Sequence, residues 1–88
     1  MQIEFKKSFQ KDLTKITDRQ TLSKIKKVIE EVQQSQSLQD ISQIKKLQGQ
    51  PNYYRIRLGN YRIGIKITQG VISFIRVLHR KKIYRYFP

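Results

Sequence analysis

The 88-residue chain has no cysteine, no tryptophan, one histidine and no acidic residue after Asp40. Each absence excludes something. Without cysteine there can be no disulfide framework, zinc ribbon or thiol nucleophile. Small secreted domains usually depend on such cross-links, so a reducing cytoplasm is the expected setting. One histidine, with six acids all confined to the first half, is poor stock for a metal site or a catalytic triad, and no cofactor is expected. The opening Met1-Gln2-Ile3-Glu4-Phe5-Lys6-Lys7 lacks the apolar run of a signal peptide. No stretch approaches the roughly 18 apolar residues of a membrane span, so no membrane association is expected. A chain of this length is read as one domain, residues 1–88, with room for one thin core.

What the chain has in excess is positive charge, +13 in all. Residues 1–40 hold eight Lys/Arg and six acids, which leaves +2 (8 − 6); residues 41–88 hold eleven Lys/Arg and no acid, which gives +11. All five tyrosines lie in the same basic half: Tyr53, Tyr54, Tyr61, Tyr84 and Tyr86. Cations interleaved with aromatics suit a polyanion that also carries stackable bases, which points to RNA. A charge serving solubility alone would mix the signs.

Gln2 to Phe5 reads as a short strand with Ile3 and Phe5 on one face. Ser8 is a candidate N-cap for a helix carrying Phe9, Leu13 and Ile16 at helical spacing. Thr17-Asp18-Arg19-Gln20 matches a capping box led by the Thr17 hydroxyl. It opens a second helix with Leu22, Ile25, Ile29 and Val32 on one stripe and Val28 beside it. Together these make a helical hairpin whose apolar faces need a partner. Ser35 to Asn52 is polar and reads as a loop with a short helical turn, ended by Gly49-Gln50-Pro51-Asn52. Three strands follow. Tyr53–Leu58 and Tyr61–Ile67 are joined by Gly59-Asn60 in a II′ turn, and Val71–Leu78 follows Thr68-Gln69-Gly70. The last run is apolar on both faces, as a central strand would be. The expected fold is α+β, βααβββ, an antiparallel sheet with the helical hairpin packed on one face.

Period-2 geometry then sorts the hairpin. Tyr54, Ile56 and Leu58 share a face, as do Tyr61, Ile63, Ile65 and Ile67; these must meet the helices. The opposite face gathers Arg55, Arg57, Arg62 and Lys66 without a compensating carboxylate. In the last run Arg76 and Arg80 share parity. Like charges on neighbouring strands are destabilising, so a fold that keeps them is expected to recruit an anion there. Arginine is also the better bidentate phosphate ligand. A solvated outer face is the plain alternative. The chemistry these residues could support is metal-free cleavage of RNA, in which the 2′-OH attacks the adjacent phosphorus. Fixed cations would neutralise the building charge, and His79 or a tyrosine would move protons.

The runs LQGQPNYYRIRLGNYRIGI, from Leu47 to Ile65, and VLHRKKIYR, from Val77 to Arg85, resemble the RelE/ParE toxin superfamily, and its RelE branch in particular. The resemblance spans essentially the whole chain. It implies the toxin of a type II toxin–antitoxin module: an endoribonuclease that cleaves mRNA in the ribosomal A site and is neutralised by an acidic antitoxin in a hetero-oligomer. It further implies that Arg55, Arg57 and Arg62 hold the phosphates and that Arg80 sits at the leaving group. Tyr84 would orient or stack on the RNA, and His79 occupies the histidine place of some relatives. The best-known RelE pattern has lysines where Arg55 and Arg57 stand, which leaves the general base open. Lys66, Arg76, Lys81, Lys82 and Arg85 are expected to contact RNA, the last three as ribosomal RNA or antitoxin contacts. Two other readings remain: a ParE-like gyrase inhibitor and an RNA-binding module without activity.

Overall fold

The computed structural model describes all residues, 1–88. In chain order the elements are β1 (Gln2–Phe5), α1 (Lys7–Thr14), α2 (Arg19–Gln34), a 3-10 turn (Leu38–Asp40), β2 (Ile44–Lys46), β3 (Tyr53–Leu58), β4 (Tyr61–Thr68), β5 (Val71–His79) and α3 (Ile83–Tyr86). They form one five-stranded sheet in the order β1-β5-β4-β3-β2. The α+β arrangement and the helical hairpin are as expected.

Several details differ. The sheet is mixed, because β1 pairs parallel to β5, from Gln2 opposite Val71 to Phe5 opposite Phe74. The strands β2 to β5 alternate through short turns and are antiparallel. The helical hairpin separates β1 from that meander, so no tight turn sets its direction. The segment read as loop contains β2, whose Lys45 and Lys46 stand opposite Arg55 and Tyr54. A three-residue, lysine-bearing strand is a common way to blunt a sheet edge. A third α-helix, α3, follows β5 where none was expected.

The turns behave as their residues require. Gly59 has φ +58°, as the first position of a II′ turn demands, and Gln69 and Gly70 both have positive φ, as in a I′ turn. The caps differ from expectation. Asp18, not Thr17, caps α2: its Oδ2 accepts the Thr21 backbone N–H at 3.1 Å and the Thr21 hydroxyl at 2.6 Å. The carboxylate is the stronger acceptor, and these bonds hold its pKa below the usual aspartate value. Ser8 caps nothing; α1 starts one residue earlier, and the Ser8 hydroxyl donates to the Ile75 carbonyl at 2.6 Å.

The core lies between the hairpin and one sheet face. Phe9, Ile16, Ile25 and Val32 from the helical side meet Ile56, Ile63, Ile65, Ile72, Phe74 and Val77 from the sheet. Ile16 belongs to this core although α1 ends at Thr14. The opposite face is partly covered by α3 and the residue after it, through the buried side chains Ile83 and Phe87. That cover explains why β5 is apolar on both faces.

Two features set the geometry of β5. A bulge leaves Ile75 unpaired between Phe74, opposite Ile65, and Arg76, opposite Gly64. Parity therefore changes along the strand: Ile72 and Phe74 face the core in its first half, Val77 in its second. Beyond the end of β1, the free edge of β5 is met by α1. Asp12, 5% exposed, accepts the Val77 backbone N–H at 3.0 Å and a bidentate pair from Arg76 Nε at 2.8 Å and Nη2 at 3.0 Å. Replacing Asp12 by alanine would leave a backbone N–H and a half-buried guanidinium without partners. Urea denaturation of Asp12→Ala is expected to show a stability loss of about 3 kcal/mol. A loss within error of zero would mean that water replaces the carboxylate.

Candidate nucleic-acid interface

The face opposite the helical hairpin is where the sequence placed its arginines. Arg57 of β3 stands directly opposite Arg62 of β4, and Arg55 lies between Lys45 of β2 and Gly64 of β4. Local carbonyls hold two of these side chains. Arg62 Nη1 donates to the carbonyls of Gly59 and Tyr61, both at 2.8 Å, so the β3–β4 turn fixes its guanidinium. Arg55 Nη1 donates to the Gln43 carbonyl at 3.2 Å; that same carbonyl accepts the Arg57 backbone N–H at 3.1 Å. Gln43 reaches this position with a positive φ of 62°. Arg80 is exposed just past β5, where its backbone N–H bonds the Asn60 carbonyl at 2.7 Å. Tyr84 projects from α3, 59% exposed.

These five side chains converge. The Arg62 guanidinium lies below the ordinary arginine value, through partial burial first and then the charges of Arg55, Arg57 and Arg80, while Tyr84 pulls the other way. No carboxylate acts on it. Three guanidiniums gathered around the half-buried Arg62, without a counter-charge, have the arrangement of a preorganised anion site. Arg55 and Tyr84 also line a groove with Lys45, Lys46, Leu47 and Gln48. Lys45 and Lys46 were missed because their strand is short and its surroundings polar; the alternation Ile44-Lys45 opposite a basic strand was the only signal.

Other predicted residues lie elsewhere. His79 stands opposite Tyr61, whose ring it meets edge-on at 5.7 Å, and its Nδ1 accepts the Lys81 backbone N–H at 3.2 Å. It borders clefts shared with Asp18, Thr21 and Lys24 of the helical side, and with Asp12 and Tyr86. The bulge at Ile75 gives it the Tyr61 face, away from Arg62. Arg76 is committed to Asp12, which raises its pKa, and its guanidinium lies 5.6 Å from the Tyr86 ring centre. Lys66 lies 5.4 Å over the Tyr53 ring, four residues along β4 from Arg62, or about 13 Å. That end of the face does carry a carboxylate. Glu4 of β1 accepts the Ser73 hydroxyl at 2.5 Å and pairs with Lys6 at 3.1 Å. Lys82 lines the cleft with His79 and Tyr86. Lys81 and Arg85 are exposed in the turn after β5 and on α3. No group of three His, Cys, Asp or Glu side chains stands together as metal ligands would.

The acid-poor arginine face lies on a sheet backed by a helical hairpin, an arrangement that the comparisons with known proteins place in a family. The family model of the ParE toxin of type II toxin–antitoxin systems matches residues 3–84. The chain belongs to the RelE/ParE superfamily of type II toxins. Within it the similarity runs to RelE: Toxin RelE3 of Methanocaldococcus jannaschii is 53% identical over 89 aligned positions, covering 100% of both chains. The crystal structure of a RelB–RelE antitoxin–toxin complex from Methanococcus jannaschii matches with a TM-score of 0.82 at 52% identity, over 96% of this chain and 98% of that one. The RelBE2 complex of Mycobacterium tuberculosis shares the fold, with a TM-score of 0.64 at 23% identity over 90% of this chain and 96% of that one. No helix of the chain is long and apolar enough to cross a membrane.

The direct opposition of Arg57 and Arg62 carries a stability cost. Arg57→Gln is expected to raise the melting temperature at low salt by roughly 1–4 °C. The gain should shrink as added salt screens the pair. A melting temperature that falls at low salt would show that Arg57 is held by favourable contacts instead.

Proposed function

We propose that this chain is a ribosome-dependent endoribonuclease that cleaves mRNA in the A site by metal-free attack of the RNA 2′-OH, and so arrests translation. The observation that carries the reading is the convergence of Arg55, Arg57, Arg80 and Tyr84 on Arg62 with no carboxylate among them. Cleavage of RNA by its own 2′-OH forms a bond from O2′ to phosphorus and breaks the one to O5′. The 2′-OH loses a proton, the departing 5′-oxygen gains one, and negative charge builds on the phosphoryl oxygens between. Arg62, fixed by two carbonyls, and the adjacent Arg57 and Arg55 are suited to those oxygens. Such fixed donors act without reorganisation, and losing one typically costs about 10²–10³-fold in rate. Arg80, at the end of β5, is assigned to the leaving-group side. Tyr84 is assigned to orienting or stacking on a base. It is also the one side chain of the cluster that carries an exchangeable proton without a fixed positive charge. His79, on the Tyr61 face, takes no part in this scheme. Lys45 and Lys46, with the exposed Lys81 and Arg85, are assigned to RNA backbone contacts.

The partner proposed is an acidic antitoxin that covers this basic surface, in a cytoplasmic complex. Its support is the net charge of +13 and the similarity to a RelE solved together with RelB. A second reading, inhibition of DNA gyrase, is favoured by the ParE description of the matching family model.

Mapping new 3′ ends on translating mRNA after induction separates the readings. Ends within codons are expected. Intact mRNA with arrested gyrase would replace this reading with the second, and neither effect would leave an RNA-binding module. Arg62→Ala and Arg80→Ala are each expected to restore growth while the protein stays folded by circular dichroism. Full toxicity in both folded variants would remove the arginine cluster from the mechanism.

A further inference from the structure

Gly64 lies in the middle of β4, where glycine weakens a strand and where its own backbone does not require it, since its φ is not positive. The reason for it lies across the sheet face. A Cβ at Gly64 would stand 2.7 Å from each of three Phe87 ring carbons. The ring therefore rests on bare backbone, 2% exposed, with the Tyr53 ring edge-on at 5.6 Å. Any side chain at position 64 would take the ring's place.

This seat bears on what precedes it. Helix α3 is four residues long, too short to persist on its own. Tyr84, Arg85 and Tyr86 are all exposed, and the two buried anchors are Ile83 before them and Phe87 after. Tyr84 is thus carried on a short arch fastened at both ends. Arg76, beside the half-exposed Tyr86, sits on the rim.

We propose that Phe87, seated on Gly64, is the positioning residue that holds Tyr84 beside Arg62 and Arg55. The role given to Tyr84 rests on the nuclease reading above; the seating of the arch does not. Two variants unseat the ring by different routes. Gly64→Ala fills the seat, and a chain ending at Tyr86 removes the ring while leaving every sheet residue unchanged. In both, amide exchange at residues 83–86 is expected to rise at least tenfold while protection of β3, β4 and β5 is kept. The Tyr84 ring resonances should move towards those of a solvated tyrosine. RNA cleavage should fall about 10- to 100-fold, the scale of a misplaced group. In a Tyr84→Ala background the same truncation should cost nothing further, because it acts through Tyr84.

Unchanged exchange and an unmoved Tyr84 ring in the truncated chain would overturn the proposal. So would an equal loss of cleavage with and without Tyr84, which is what a merely structural tail would give. If the unaltered chain cleaves no RNA, the nuclease reading falls instead. The exchange and Tyr84 resonances then decide the positioning alone.

Discussion

Asp12 ties helix α1 to the free edge of β5 and, through it, to Arg76. Its carboxylate takes one hydrogen bond from the β5 backbone and two from Arg76, almost out of contact with water. The need for it follows from the sheet. β1 is only four residues long, so β5 runs on past its last partner with an edge that must be satisfied somehow. Helix α1 supplies the missing acceptors and donors: the Ser8 hydroxyl goes to the Ile75 carbonyl and Asp12 to the Val77 N–H. The helical hairpin is thus fixed to the sheet by polar bonds at the edge and by Phe9, Ile25 and Val32 in the interior. The second half of β5, from which Arg80 follows, takes its position from that docking.

The site depends on a contrast between two arginines. Arg76 has a buried counter-charge and is structural. Arg62 has none and is surrounded by its own kind. Carbonyls rather than carboxylates hold Arg62 and Arg55, which orients them without neutralising them. A carboxylate there would stabilise the free protein and weaken the attraction for an incoming anion. The one acid on that face, Glu4, sits at the opposite end beside Ser73 and Lys6.

Much of this was legible in the sequence, and what was not has definite causes. The hairpin stripes, the two glycine-bearing turns and the alternation from Tyr53 to Ile67 are local signals, and the structure follows them. Sorting Arg55, Arg57 and Arg62 onto one face needed only the period of two. The face of His79 could not be read, because a one-residue bulge at Ile75 reverses parity and nothing in an apolar run marks it. The pairing of Asp12 with Arg76 joins residues 64 positions apart and leaves no local trace. β2 was hidden because three residues are too few to show alternation. The seat of Phe87 left a trace in the form of a mid-strand glycine, but its partner was unreadable without the fold.

The parallel pairing of β1 with β5 also governs how the protein comes into being. Gln2 and Val71 are neighbours in the sheet and 69 residues apart in the chain (71 − 2), so the first strand synthesised waits for the last. Pairing over such a separation is slow to form. The hairpin α1–α2 and the meander β2–β4 can assemble locally on a nascent chain, but the slot between β1 and β4 stays empty until β5 arrives. Any chain interrupted before Val71 would present two open strand edges, a state inclined to aggregate. Arg80 and Tyr84 come later still. The basic surface begun by Arg55, Arg57 and Arg62 on β3 and β4 is therefore completed only once β5 is in place.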